Sequence, residues 1–72
     1  MLDMEDRRMA YYVYGSYNGG RFKAMDLNAC VQVGNLIYAT IFWDEEKERA
    51  EKILKEIREL NPEWKFELRK AG

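Results

Sequence analysis

A single stretch of the sequence, from Asp44 to Leu60, has the apolar spacing of an amphipathic helix, and the patterns before and after it are those of β-strands. Asp44 is a good N-cap, and Glu45 and Glu46 suit the positive end of the helix dipole. Asn61-Pro62 is expected to end the helix, because proline cannot continue one. The apolar residues at helical spacing are Ala50, Ile53, Leu54, Ile57 and Leu60. Since one helix covers one face of a small sheet, the sequence points to a sheet with a single covered side.

The first predicted hairpin is centred on Asn18-Gly19, which separates the aromatic-rich segment 10–17 from the segment 21–25. Asn-Gly between two such runs favours a type I′ turn, because this turn needs positive φ at both central residues. With Asn18 and Gly19 as the turn, strand alternation sorts the other side chains onto two faces. The face predicted to enter the core carries Val13, Gly15, Phe22 and Ala24. The opposite face carries Tyr12, Tyr14, Ser16, Arg21, Lys23 and Met25.

A second hairpin is predicted from Ala29 to Trp43, with Gly34-Asn35 as a type II′ turn in which glycine comes first. Between the two hairpins the apolar residues change parity near Asp26 to Asn28, so we expect a bulge, a bend or a short loop there. After the helix, the segment 63–70 alternates apolar and charged residues as a half-buried strand does. Its apolar residues are Trp64, Phe66 and Leu68, and they alternate with Lys65, Glu67 and Arg69.

These patterns predict an α+β fold, a single antiparallel β-sheet of four to five strands with one helix packed on one face. The element order is β-β-β-β-α-β, or β-β-β-α-β if the middle strands fuse into one bent strand. A chain of 72 residues makes one domain, and it buries only about 60% of the surface that its unfolded form exposes. We assign residues 10–70 to this domain. Residues 1–9 are expected to be a flexible lead-in, since their charges and lack of an apolar run exclude a signal peptide or a membrane span.

The segment from Leu36 to Trp43 is apolar at both parities, so a strand there would be apolar on both of its faces. A strand of that kind is normally buried on both sides. Because the helix covers one side, a second copy of the chain is expected to cover the other, with Tyr38 and Phe42 at the dimer interface. The alternative is a monomer in which these aromatic side chains are exposed singly, as many aromatics are.

The composition gives little support for an enzyme, and no catalytic residue, metal or cofactor is expected. The chain has no histidine, the residue most often used for acid-base chemistry near neutral pH and the commonest metal ligand. Cys30 lies in a predicted strand without a histidine to activate it, so we expect an inert buried thiol. As the only cysteine, it also favours a reducing compartment, the cytoplasm. Gly19-Gly20-Arg21 could suggest a phosphate loop, but such a loop should lead into a helix.

The candidate binding surface is the tyrosine-rich and cationic face of the first hairpin, made of Tyr12, Tyr14, Arg21, Lys23 and Met25. Tyrosine and arginine dominate the hot spots of protein interfaces. We therefore predict a non-enzymatic, homodimeric protein-interaction module, a small inhibitor or adaptor that occludes a partner protein. In size and composition the chain resembles the small accessory proteins of phages and mobile elements that block a host protein.

Two other functions stay open. Single-stranded nucleic acid could stack its bases on the tyrosines while Arg21 and Lys23 hold its phosphates. A net charge of −1 weighs against this function and against binding to an anionic membrane, because no overall positive field attracts phosphates. Alternatively, a pocket at the dimer interface could capture a small anionic ligand such as a nucleotide without catalysis, through Arg21 and the tyrosine rings.

Overall fold

The computed structural model describes residues 9–71, which form one five-stranded antiparallel sheet and one α-helix, as predicted. The strands are β1 (Ala10–Tyr17), β2 (Lys23–Asp26), β3 (Val31–Gln32), β4 (Ile41–Trp43) and β5 (Trp64–Lys70), and the helix is α1 (Lys47–Leu60). β1 is the central strand, with β5 along one of its edges. Its other edge is shared, because β4 pairs with its first half and β2 with its second half. β3 adds to the outside of β2.

The first hairpin is present, but its register is one residue away from the predicted one. Tyr14 pairs with Ala24 and Gly15 with Lys23. Asn18 and Gly19 have φ of 52° and 81°, as a type I′ turn requires, and the Gly20 N–H donates to the Tyr17 carbonyl at 2.9 Å. Gly20 is then an extra loop residue before β2. A one-residue shift moves every side chain of a strand to the other face, so the predicted faces are correct for β1 and wrong for β2.

Packing at Gly15 gives the physical reason for this register. Met25 lies on the core side of β2 and is 0% exposed, and it occupies the space that a side chain at Gly15 would need. A Cβ on Gly15 would lie 2.8 Å from Cγ of Met25 and 3.1 Å from Cδ1 of Phe66. The long side chain of Met25 on β2 thus fills the space left on β1 by the lack of a side chain at Gly15. Phe22 and Ala24 lie on the side of the sheet away from α1.

The hydrophobic core lies between α1 and one side of the sheet. Its buried centre is formed by Val13, Met25, Leu54 and Phe66, with Phe42, Ile57, Trp64 and Leu68 packed around it. Ala50 is also buried, which confirms the predicted apolar stripe except at Leu60, whose side chain is 80% exposed. The helix is preceded by a 3-10 turn at Asp44–Glu46.

The predicted second hairpin is wrong. β3 pairs with β2 through the turn Leu27–Cys30, which fits the loop expected after Asp26. Residues Leu36–Tyr38 form a 3-10 turn, where the side chain of Asn35 accepts a hydrogen bond from the Ile37 N–H at 3.1 Å. Asn35 therefore caps this turn, and the chain then returns to β1 as β4. The physical reason is that the four residues of β2 leave half of the edge of the eight-residue β1 unpaired, and buried backbone groups need partners.

The predicted lead-in, residues 1–9, lies outside the described residues apart from Met9, whose carbonyl accepts a hydrogen bond from the Asp44 N–H at 2.8 Å. Within the described part of the chain, α1 is neither long nor apolar enough to cross a membrane.

Candidate functional site

The side of the sheet away from α1 carries the candidate site, and we call it the open face. Val13 of β1 points into the core, so alternation places Tyr12 and Tyr14 on the open face. Residues directly opposite each other in a ladder share a face, and Ile41 and Arg69 both lie opposite Tyr12. The open face is formed by Tyr12, Tyr14, Phe22, Ile41, Trp43 and Arg69, with Ala10, Ser16, Ala24, Lys65 and Glu67 between and beside them.

The open face is rich in apolar and aromatic surface. Ile41 and Trp43 are 38% and 39% exposed, and Tyr12, Tyr14 and Phe22 are half-buried. Small residues such as Ala10 and Ala24 are buried between these larger side chains. The ring and aliphatic surfaces therefore adjoin one another, and they lie on the side of the sheet that α1 does not cover.

A cation lies close to two aromatic rings of this face. The Cζ atom of Arg69 is 4.3 Å from the ring centroid of Tyr14 and 5.6 Å from that of Phe22. Nε of Arg69 donates to the Glu67 carboxylate at 2.5 Å, which fixes the guanidinium from a second side. Cation-π contacts at exposed sites contribute about 0.5–1 kcal/mol. The side chains of Tyr14, Phe22 and Arg69 thus form a pre-ordered surface, with the two rings as its apolar part and the guanidinium as its polar edge.

A shallow depression lies beside this cluster. It has a volume of about 370 Å³ and is lined by Tyr14, Phe22, Lys23, Ala24, Val33, Gly34 and Leu36. Its walls are mostly apolar, with Lys23 at the rim. A protruding apolar side chain of a partner is the kind of group that such a depression accepts.

The predicted dimer residues Tyr38 and Phe42 do not share a surface, and this part of the prediction is wrong. Tyr38 lies in the 3-10 turn and is 64% exposed. Phe42 lies opposite Tyr11 and packs against the core beneath α1. The reason is that the 3-10 turn breaks the strand alternation on which the prediction was based. Leu36 and Ile37 of the same turn are also exposed, so the turn is an apolar projection.

The predicted binding residues are only partly brought together. Tyr12 and Tyr14 lie on the open face, whereas Met25 is buried in the core, so its predicted surface role is wrong. Arg21 and Lys23 are exposed on either side of Phe22. They line a separate depression of about 310 Å³, together with Tyr17, Gly20 and Gln32. The cation that contacts Tyr14 is Arg69.

The sequence reasoning missed four large members of the open face, Phe22, Ile41, Trp43 and Arg69. The alternation of β5 does place Arg69 on the charged side of its strand. Its aromatic neighbours follow only from the strand order, because β5 pairs with β1 and brings Arg69 next to Tyr14. Strand alternation from Asn18-Gly19 predicts Phe22 in the core, whereas the extra loop residue Gly20 turns Phe22 to the open face.

Metal binding and the thiol of Cys30 are two further chemical features of the described residues. Within residues 9–71 no group of three or more cysteine, aspartate and glutamate side chains is placed to hold a metal ion. Cys30 lies in the turn before β3 at a φ of 56°, half-buried against the core, and its predicted strand position is wrong. A scan against protein-family models finds no match for this chain, and searches of curated proteins and of solved structures return none either.

Proposed function

We propose that this chain is a non-enzymatic protein-interaction module that binds a partner protein through the open face. The observation that carries the proposal is the aromatic and aliphatic surface of Tyr12, Tyr14, Ile41 and Trp43, which lies on the side of the sheet away from the helix. In such a small domain this surface costs solubility unless a partner covers it. Its apolar centre with charged residues at the margin is the usual composition of a protein interface.

The charges of the open face favour a protein over a nucleic acid. Arg69 is paired with Glu67, so one of the two cations that β5 contributes to the face, Arg69 and Lys65, is offset by a carboxylate. Of the two hairpin cations, Lys23 lines a depression together with Tyr14 and Phe22, whereas Arg21 lines the separate depression beside Tyr17. Binding through stacked bases needs cations along the backbone path, whereas hot spots of protein interfaces use tyrosine, tryptophan and arginine in this kind of cluster.

We further propose that the module works by occlusion, as an inhibitor or adaptor, since the site offers a surface and no reactive group. We place it in the cytoplasm, where a free thiol such as Cys30 stays reduced. A homodimer is part of the same proposal. In this proposal the dimer interface is not formed by Tyr38 together with Phe42, because Phe42 packs against the core.

The test is capture of a partner with tagged wild type and two matched variants, followed by a binding titration with the purified captured protein. The variant Tyr12→Ala, Ile41→Ser removes apolar surface from the open face, and we expect it to weaken binding at least about tenfold, as loss of hot-spot contacts does. Leu60→Ser removes an exposed apolar side chain outside the open face and should bind like wild type. Equal affinity of both variants, with circular dichroism confirming that both are folded, would refute the proposal.

The alternative ligands are separated by two further measurements. A single-stranded oligonucleotide should show no saturable binding; binding with a steep salt dependence would favour nucleic acid as the ligand. A panel of nucleotides should leave the melting temperature unchanged, because a ligand that binds only the folded chain raises it.

A further inference from the structure

The outer edge of β5 is the second surface of this protein that is suited to a macromolecule. β5 has seven residues and contains neither proline nor glycine. It pairs with β1 along its whole length, and within residues 9–71 no strand pairs with its other edge. Native sheets usually protect such an edge with a short strand, a proline, a bulge, a cover or charged side chains, because its free N–H and C=O groups accept another strand. Of these devices β5 has the charges, in Lys65, Glu67 and Arg69, so a strand that adds to it must match them. β3, near the other side of the sheet, has only two residues.

We propose that two copies of this chain pair through β5, antiparallel about a two-fold axis at Phe66. Two identical antiparallel strands pair residues of the same parity, because only these point their N–H groups to the same edge. The axis must therefore pass through a residue, and the candidates near the middle of the strand are Lys65, Phe66, Glu67 and Leu68. The charges of the strand distinguish these registers.

Centring on Phe66 sets opposite charges against each other at two kinds of facing position and sets no like charges together. Lys65 then faces Glu67 of the second copy, and Glu63, which directly precedes β5, faces Arg69; each pair occurs twice. Opposite charges in directly facing positions stabilise antiparallel pairs, and like charges destabilise them. Phe66 faces its own counterpart on the helix side, and the aromatic row that joins Tyr17, Trp64 and Phe66 at centroid distances of 5.0 and 5.7 Å continues into the second copy.

The other registers are less favourable. Centring on Glu67 sets Glu67 against Glu67 and Lys65 against Arg69. Centring on Lys65 sets Lys65 against Lys65 and Glu63 against Glu67. Centring on Leu68 keeps the pair of Glu67 and Arg69, but it leaves Lys65 without a facing carboxylate and sets Phe66 against Lys70. The sequence of β5 is therefore self-complementary in one register.

A groove beside the β5 edge offers further surface to the second copy. A groove of about 420 Å³ lies between α1 and β5, with Leu54, Phe66 and Leu68 at its apolar floor and Lys55 and Arg58 at its rim. Glu67, whose side chain points to the open face, also lines the groove, so the groove reaches the edge of the sheet. Pairing through β5 would cover this groove and join two five-stranded sheets into one. Both helices would lie on one side and both open faces, adjoining, on the other.

Charge reversal at the facing positions tests the proposal by sedimentation equilibrium on the purified chain. We expect wild type to be dimeric at micromolar concentrations. Lys65→Glu sets Glu against Glu67, and Glu67→Lys sets Lys against Lys65, so each single variant should raise the dimer Kd about tenfold or more. An equimolar mixture of the two variants should associate with an affinity near that of wild type, because every facing pair is then of opposite charge.

The matched controls reverse the same charges outside the interface. Lys52→Glu and Glu59→Lys lie at exposed positions of α1 that do not line the groove, and they should leave the dimer Kd unchanged. A monomeric wild type, including one that instead adds a strand of another protein to β5, would overturn the proposal. A dimer that tolerates both reversals, or a mixture that associates no better than its components, would overturn it as well. Far-UV circular dichroism of every variant verifies that a lost dimer is not a lost fold.

Discussion

The close approach of Met25 to Gly15 makes the energetic coupling of these two residues a direct test of the hairpin register. Gly15→Ala would place a Cβ 2.8 Å from Cγ and 2.9 Å from Sδ of Met25, distances that force the core to shift. Overpacking of this kind costs about 1–3 kcal/mol, partly offset by about 0.4–1 kcal/mol from the lower entropy of the unfolded chain. We expect a net loss of about 1–2 kcal/mol, which lowers the melting temperature of a domain of this size by roughly 4–15 °C.

The double-mutant cycle makes this prediction specific. Met25→Ala alone creates a cavity and should cost about 2–5 kcal/mol. In that background the new Cβ at position 15 meets less crowding and fills part of the cavity, so Gly15→Ala should become neutral or stabilising. Urea denaturation of the four proteins, performed in the cold to keep the weakest one folded, gives the coupling energy. We expect it to exceed about 1 kcal/mol, since residues in contact couple by 0.5–3 kcal/mol.

Phe22 supplies the control for this cycle. In the register expected from the sequence, Phe22 faces Gly15; in the structure it lies on the open face beside Arg69. Gly15→Ala should therefore be additive with Phe22→Ala, within the roughly 0.5 kcal/mol of independent sites. Strong coupling to Phe22 together with additivity toward Met25 would refute the observed register.

Three further predictions concern single positions. Arg69→Lys should lose about 0.5–1 kcal/mol in urea denaturation, nearly as much as Arg69→Ala, because an ammonium group lacks the planar guanidinium that stacks on aromatic faces; full stability of the lysine variant would exclude a contribution from stacking. Gly19→Ala should cost about 1–2 kcal/mol because Gly19 has a φ of 81°, whereas Gly34→Ala, with no atom within 4 Å of its new Cβ, should change stability by less than about 0.5 kcal/mol; equal losses in thermal melts would contradict this difference. Ser16→Ala should cost about 1 kcal/mol, since the buried Oγ donates to the Gly20 carbonyl at 2.6 Å, and an unchanged urea midpoint would show that this bond does not hold the loop.

The elements with strong periodic patterns could be predicted from the sequence. α1 follows from the spacing of residues such as Ala50 and Leu54, and β5 from its strict alternation of apolar and charged residues. The faces of β1 were also predictable, because Val13 lies between Tyr12 and Tyr14, and valine is buried in cores more often than tyrosine. These elements establish the fold class, and they place Tyr12 and Tyr14 on the open face.

The register of the first hairpin was not predictable from local residues. Asn18-Gly19 indicates the turn, but the chain can pair either with Gly20 as the first strand residue or with Gly20 as part of the loop. The choice depends on packing between positions that are distant in sequence, above all the fit of Met25 over Gly15 beside Phe66. Because Gly20 belongs to the loop, Met25 lies in the core and not on the predicted surface.

The segment 36–43 shows a second limit. Its apolar residues at both parities fit a doubly buried strand, yet the Asn35 side chain caps a 3-10 turn and the strand begins only at Ile41. The excess of apolar surface from which the dimer was inferred nevertheless persists. Ile37 is 76% exposed, and Leu36 and Ile41 add to the same region.

Chemical-shift mapping of the labelled chain with its captured, purified partner tests most directly whether the open face is the binding surface. We predict that the perturbed amide and aromatic signals come from Tyr12, Tyr14, Ile41 and Arg69, while those of the outer side of α1 stay in place. Perturbations confined to α1, with the signals of the two tyrosines unchanged at saturation, would contradict recognition through this side of the sheet.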